Sequence, residues 1–246
     1  MSVLCLKDIN KSFVDSKNEI KVLENISFSL KENEKIAIVG PSGCGKSTLL
    51  NIISGLIKSD SGQVLTKGKI GYMFQQDNLF PWRNVYKNIT IGLEIKGKIK
   101  KEDKDRILKL LEKYGLKEFI YKYPSELSGG MRQRCALIRT LVLNPDILLL
   151  DEPFSALDAQ TRILVNEDIY KIVSKEKKAV IMVTHDISEA ISFSDRVIVL
   201  SSRPSKIKKI YEISFPSLKE RTPLNVRGED EFKTYFDSIW RDLNEN

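Results

Sequence analysis

Apolar residues fall along this chain in two rhythms. Near the N-terminus they alternate with polar residues, as at Ile26, Phe28 and Leu30, and Val3–Ile9 and Val22–Leu30 are predicted to be strands. Glu32-Asn33-Glu34 makes a turn, after which Lys35-Ile36-Ala37-Ile38-Val39 reads as a short buried strand. Gln63–Leu65 and Lys69–Phe74 are short strands separated by Lys67-Gly68. From about Asn84 to Asn144 the rhythm turns helical. Lys104–Tyr114 sets Ile107, Leu108, Leu110 and Leu111 on one face, and Met131–Leu143 forms a helix stopped before Asn144-Pro145. From Asp146 strands and helices alternate: Ile147–Leu150, helix Ala159–Ser174, strand Ala179–Thr184, helix Ile187–Phe193, strand Arg196–Leu200. This order predicts an α/β fold with a mostly parallel sheet, right-handed crossovers and an inserted helical block. The tail predicts a strand over Lys206–Ile213. It then predicts an amphipathic helix carrying Phe232, Tyr235, Phe236, Ile239, Trp240 and Leu243, which covers the core or, less simply, binds a partner.

Composition narrows the class. The 246 residues are 41% hydrophobic and 30% charged, ordinary for a globular protein with one large or two small domains. No apolar run approaches the roughly 18 residues of a membrane span, and Met1–Asp8 has no signal-peptide pattern. Cys5, Cys44 and Cys135 make neither a disulfide framework nor a metal spacing, so a reducing cytosol is expected. The net charge of +7 gathers at Lys96–Lys104, Lys171–Lys178 and Arg203–Lys209. These clusters read first as solvated faces, then as sites for an acidic partner or anionic lipid. They lack the interleaved aromatics of a nucleic-acid surface, so no nucleic acid is expected.

Two segments have the chemistry to bind phosphate. Gly40-Pro41-Ser42-Gly43-Cys44-Gly45-Lys46-Ser47-Thr48 fits G-x-x-x-x-G-K-[ST] and lies between the Lys35–Val39 strand and a predicted helix, Thr48–Ser54, that ends at Gly55. Its glycines let backbone amides turn toward a phosphate, Lys46 brings a point charge to the β- and γ-phosphates, and Ser47 brings a hydroxyl to Mg²⁺. The second segment is Leu127-Ser128-Gly129-Gly130-Met131, where Ser128 has N-cap chemistry and the glycines leave bare amides at a helix N-terminus. One nucleotide site does not need both.

Asp151-Glu152 follows the apolar run Ile147–Leu150, at the carboxyl end of a predicted parallel strand, where an open α/β sheet binds its ligand. Asp151 is placed to orient Mg²⁺, and Glu152 to act as general base on a water in line with the γ-phosphate. His185, the only histidine, closes the next strand and is a candidate γ-phosphate contact. Gln75 follows the strand Ile70–Phe74 and has the chemistry to bind Mg²⁺ or position a water.

The serial order of the P-loop, Gln75, Leu127–Gly130, Ile147–Glu152, Ser155-Ala156-Leu157-Asp158 and His185 resembles the ATP-binding cassette (ABC) ATPases, over residues 1 to about 205. The resemblance implies a P-loop NTPase (RecA-like) core with an N-terminal antiparallel β subdomain and an inserted α-helical subdomain. Core and β subdomain would span residues 1–83 and 145–205, the helical subdomain 84–144, and a C-terminal strand and helix 206–246. It makes these segments the Walker A, Q-loop, signature, Walker B, D-loop and switch histidine. ATP and Mg²⁺ are the implied cofactors, with Asp158 and the P-loop residues at the nucleotide. Phe13 matches the aromatic that stacks on adenine, and a core position is the other reading. Ser128, Gly129 and Gly130 would then serve the nucleotide of a second copy packed head to tail, which accounts for the second phosphate-binding segment.

Finer resemblance points to the ATPases of nitrate, sulfonate, taurine and bicarbonate importers. It lies in Phe74–Val85 and in Leu127–Leu141, where Met131 replaces the glutamine usual in the wider family; the pattern around Arg221-Thr222-Pro223 adds a looser likeness. It implies a separate transmembrane permease, a solute-binding protein acting through it, and a peripheral place on the cytoplasmic face of the membrane. The apolar loop Leu79-Phe80-Pro81-Trp82 is expected to dock the permease, unless Trp82 packs into the helical block. A soluble ABC ATPase working on nucleic acid or the ribosome is the alternative. Such proteins commonly carry two cassettes or long coiled-coil arms, absent here. A P-loop kinase would leave the Leu127–Met131 segment without a role.

Overall fold

The computed structural model describes residues 1–15 and 18–244. In chain order the elements are β1 (Ser2–Asp15), β2 (Asn18–Lys31), β3 (Lys35–Val39), α1 (Lys46–Ile53), β4 (Ser61–Thr66), β5 (Ile70–Met73), α2 (Val85–Lys96), α3 (Lys101–Lys113), α4 (Gly129–Leu141), β6 (Ile147–Asp151), α5 (Ala159–Lys175), β7 (Ala179–Val183), α6 (Ile187–Phe193), β8 (Arg196–Leu200), β9 (Ile207–Glu212) and α7 (Asp230–Asn244).

Strands β5-β6-β7-β3-β8-β9 form one sheet, parallel throughout except for the antiparallel β8–β9 edge pair. The apolar runs become its centre because both faces are covered. Ala37, Val39, Leu148, Leu150, Val180 and Met182 face the core that also takes residues from α2 to α7. Their neighbours Ile36, Ile38, Ile147, Leu149 and Ile181 face the core shared with α1 and the second sheet. That second sheet is antiparallel, ordered β2-β1-β4.

Strands β1 and β2 run well past the predicted Val3–Ile9 and Val22–Leu30. They pair on through Lys11↔Leu23 and Phe13↔Ile20, where backbone hydrogen bonding extends the hairpin beyond its buried face. The tail helix α7 packs on α6, burying Ile239 and leaving Trp240 57% exposed. The basic clusters lie largely at the surface with acidic neighbours, as in Lys171–Glu167 (3.0 Å) and Lys206–Glu24 (3.1 Å). No helix among the described residues is long and apolar enough to cross a membrane.

The register aligns the site. Asp151 pairs with Val183, Ile38 with Val183, and Met73 with Leu150. The segments leaving the carboxyl ends of β3, β5, β6 and β7 therefore emerge side by side, and they carry Gly40, Gln75, Glu152 and His185.

Candidate active site

The P-loop turns on Gly43 (φ 73°) and Gly45 (φ 114°), backbone conformations that glycine adopts without strain. Gly45 is also a close approach, since a Cβ there would lie 2.6 Å from Val22 Cγ1. Helix α1 begins at Lys46, ahead of the predicted Thr48, because the left-handed Gly45 turns straight into it. Lys46 is buried, and its Nζ donates to the carbonyls of Gly40 (2.8 Å) and Pro41 (3.0 Å). The loop from Ser42 to Thr48 lines a cavity of about 510 Å³, closed opposite by Glu152, His185 and Arg203. Cys44 is the exception: its side chain is 1% exposed and belongs to the core.

Ser47 Oγ donates to Asp151 Oδ1 (3.2 Å), and the Tyr72 hydroxyl donates to Asp151 Oδ2 (3.1 Å). Burial pushes the Asp151 carboxyl above its ordinary range against these two hydrogen bonds, and burial with the Asp151 charge raises the Tyr72 phenol. The Ser47 hydroxyl and Asp151 carboxylate form an oxygen pair at the cradle's end, a donor set that suits a hard cation such as Mg²⁺.

Glu152 adopts φ 43° and donates its backbone N–H to Val183 O (2.8 Å). Its Oε2 lies 3.1 Å from His185 Nδ1 and accepts from Gln75 Nε2 at 3.2 Å; Gln75 also reaches Ser155 Oγ at 3.4 Å. Carboxylate, imidazole and amide thus meet at the cavity mouth.

Three predicted contacts lie elsewhere. Ser128 is the exposed N-cap of α4, accepting from Met131 N (3.3 Å), and neither it nor Gly129 nor Gly130 lines the P-loop cavity. The two glycines let α4 approach its neighbours: a Cβ on Gly129 would sit 2.8 Å from Leu157 Cδ2, and one on Gly130 2.8 Å from Val165 Cγ2. Asp158 is the exposed N-cap of α5, accepting from Thr161 N (3.0 Å). Phe13 is not in the core. It is 43% exposed on the β1–β2 hairpin, with Lys11 Nζ 5.3 Å from its ring centre.

Several residues join the site without a motif to announce them. Arg203 Nε donates to Gly43 O, and the fully buried Ser205 hydroxyl donates its one proton to Cys44 O, with Ser201 O also within reach (3.1 Å). The β8–β9 loop therefore braces the carbonyl side of the P-loop. Asn88, also fully buried, accepts from Phe80 N (2.7 Å) and donates to the carbonyls of Phe80 (3.1 Å), Arg83 (2.7 Å) and Asn84 (3.1 Å). This holds Trp82 outward, 72% exposed, rather than packed in the helical block. Arg139 donates to Asp77 O (2.6 Å) and Asn78 O (2.7 Å), and Arg132 to Asp77 Oδ2 (3.1 Å), tying α4 to the segment between Gln75 and Trp82. In the sequence Arg203 is marked only as a member of a basic run, and the Ser205 hydroxyl and the Asn88 amide carry no signal.

Residues 23–155 match the ABC transporter family. The chain is 42% identical to an uncharacterized ABC transporter ATP-binding protein, YtlC, of Bacillus subtilis, over 99% of this chain and 96% of that one. It is 42% identical to an aliphatic sulfonates import ATP-binding protein, SsuB, of Bacillus cereus, over 86% of each. Among solved structures it resembles a dimeric ATP-binding cassette in a post-hydrolysis state with ADP and Pi: TM-score 0.73 and 33% identity, over 86% of this chain and 99% of that one. The chain belongs to the ABC transporter family, with the P-loop NTPase fold. It is an ABC ATPase that uses ATP and Mg²⁺.

Proposed function

We propose that this chain is the ATP-hydrolysing subunit of an ABC importer for a small solute of the nitrate, sulfonate or taurine type, working as a head-to-tail pair of copies beneath a separate permease. The carrying observation is a separation. Lys46, Glu152 and His185 share one cavity, whereas Ser128 caps an exposed helix N-terminus outside it. A helix end of anion-binding geometry that lies outside the P-loop cavity fits the nucleotide of a second copy. The dimeric form of the similar cassette supports this pairing.

In this reading Lys46 leaves the Gly40 and Pro41 carbonyls for the β- and γ-phosphates, and the amides of Gly43 to Thr48 take the remaining phosphate oxygens. Ser47 and Asp151, with Gln75, hold Mg²⁺, which neutralises charge on the phosphates when bound. Glu152 accepts a proton from the water that attacks the γ-phosphorus, and the bond to the bridging oxygen breaks toward ADP. His185 orients Glu152 and reaches the γ-phosphate, and Phe13 stacks on adenine. Across the interface, Ser128, Gly129 and Gly130 of the second copy close on the γ-phosphate, and Asp158 lies at the contact. The Gln75-to-Trp82 segment, tied to α4 by Arg132 and Arg139, links the site to the permease, with a solute-binding protein acting beyond it. The name of the SsuB relative, an import ATP-binding protein, supports the transport assignment, and a peripheral place on the cytoplasmic face of the membrane goes with that reading.

Mixing Ser128→Arg with Lys46→Ala chains tests the pairing. Each variant alone has no intact site, whereas a mixed dimer has one. Recovery of ATPase activity in the mixture is expected; silent mixed dimers, with mixing proven by tagged pull-down, overturn it.

A further inference from the structure

Arg162 stands between two loops of the site without belonging to either. It lies on the first turn of α5, and its Nη2 donates to the carbonyl of Leu157 at 3.0 Å, gripping the Ser155–Asp158 loop. Its other face meets two carboxylates beside the switch histidine. Nη1 is 3.8 Å from Asp186 Oδ2 and Nε is 3.7 Å from Glu189 Oε1. That Nε is buried and has no hydrogen-bond partner. Asp186 and the ionised form of Glu189 attract the guanidinium at these distances, but the hydrogen bonds are not made, and a shift of about 1 Å would make them.

The acceptor side is built rigidly. Glu189 is 4% exposed, and its second oxygen, Oε2, accepts from Thr184 Oγ1 at 2.5 Å. Thr184 Oγ1 in turn accepts from Asp186 N (3.0 Å), Thr184 N donates to Ile38 O (3.2 Å), and Asp186 Oδ1 caps α6 at Glu189 N (3.1 Å). The next side chain after Thr184 is His185, which meets Glu152. A buried carboxylate with one oxygen committed and the other short of a buried, unpaired N–H forms a joint with an unmade bond. Leaving that donor unmatched is unfavourable, and closure would recover the loss. The loop on the far side of the joint is open to contact, since Ala156 and Asp158 are exposed.

We propose that Arg162 and Glu189 are positioning residues that couple the Ser155–Asp158 loop to His185. When a second copy presses on the loop, Arg162 closes on Glu189, and the Thr184–His185 turn is held with the imidazole on Glu152. This rests on the composite site proposed above and adds a link that neither loop supplies alone. Both residues act on turnover and not on nucleotide capture.

The test is a double-mutant cycle on the full chain with Mg-ATP, using Arg162→Met, Glu189→Gln and the pair, with kcat and KM measured separately. Each single change is expected to lower kcat about tenfold with KM within about twofold, and the double variant to be no slower than the worse single. Multiplying losses, unchanged kcat in both singles, or a rise in KM alone overturns the link. Arg162→Lys, which keeps the charge but not the fork, repeats the cycle in chains whose thermal midpoint matches the parent and is expected to retain more kcat than Arg162→Met. Mixed Ser128→Arg and Lys46→Ala dimers separate the two claims. If proven mixed dimers stay silent, the composite-site reading fails; if they recover activity while the cycle is additive, only the link fails.

Discussion

His185 Nδ1 lies 3.1 Å from Glu152 Oε2, and the same oxygen accepts from Gln75 Nε2 at 3.2 Å. A carboxylate gripped from two sides has few orientations left, which suits a group that must take a proton from one placed water. Glu152→Gln keeps the shape but cannot accept that proton. Hydrolysis is expected to fall by about 10²–10⁴-fold, with ATP binding by fluorescent-nucleotide titration unchanged. A variant with near-normal turnover would remove Glu152 as the base.

The close packing of α4 gives a second prediction. Gly130 has space for a hydrogen and not for a methyl, with Val165 Cγ2 2.8 Å from where a Cβ would be. Val165 is a buried β-branched residue and has little freedom to swing away. Gly130→Ala is expected to destabilise the chain by about 1–3 kcal/mol in urea unfolding, and Val165→Ala in the same chain to restore part of it. A stable single variant would mean that the glycine serves only the phosphate.

Much of this site was legible in the sequence because backbone geometry and chemistry coincide there. The apolar run before Asp151 predicts both a central strand and the end at which a ligand binds, and α6 and β8 form over the residues their patterning indicates. Polar Lys11 and Asn18 hid the extension of the β1–β2 hairpin, since pairing along a hairpin needs no apolar side chain. Arg162, Arg203, Ser205, Asn88 and Glu189 were illegible for another reason. Their partners are distant in sequence or are backbone carbonyls, and no spacing rule connects Ser205 with Cys44 O. The glycines behind Ser128 carry the sequence pattern of phosphate ligands, whereas their packing against Leu157 and Val165 depends on how α4 crosses the neighbouring elements.

Trp82 separates docking from catalysis. It is 72% exposed, its ring centre is 5.2 Å from that of Phe80, and the loop beneath it is pinned by Asn88. An exposed indole on a fixed loop is the kind of residue that dominates an interface. Trp82→Ala is expected to leave the ATPase rate of the isolated chain unchanged and to weaken association with its permease about tenfold or more, read as crosslinking yield in membranes. Unchanged crosslinking would place the docking surface elsewhere.

Glu189 gives the chain a pH signature in stability. Burial lifts its carboxyl from 4.5 to about 7, and the Asp186 charge adds to the rise; the Thr184 hydroxyl and the Arg162 and His185 charges oppose it. The folded chain therefore holds a proton that the unfolded chain has released. Below about pH 4.5 both states are protonated and Glu189 imposes no penalty. As pH rises through the window up to about 7 the unfolded state loses its proton first, so folding stability declines, and above that window the decline stops. The full drop is at most about 3 kcal/mol. Glu189→Gln cannot ionise and escapes this decline. Urea unfolding at pH 5 and pH 8 is expected to show the parent chain losing stability relative to Glu189→Gln at the higher pH. Equal pH dependence in the two chains would mean that the carboxylate is already ionised in the fold, fully matched by Arg162 across the gap that now separates them.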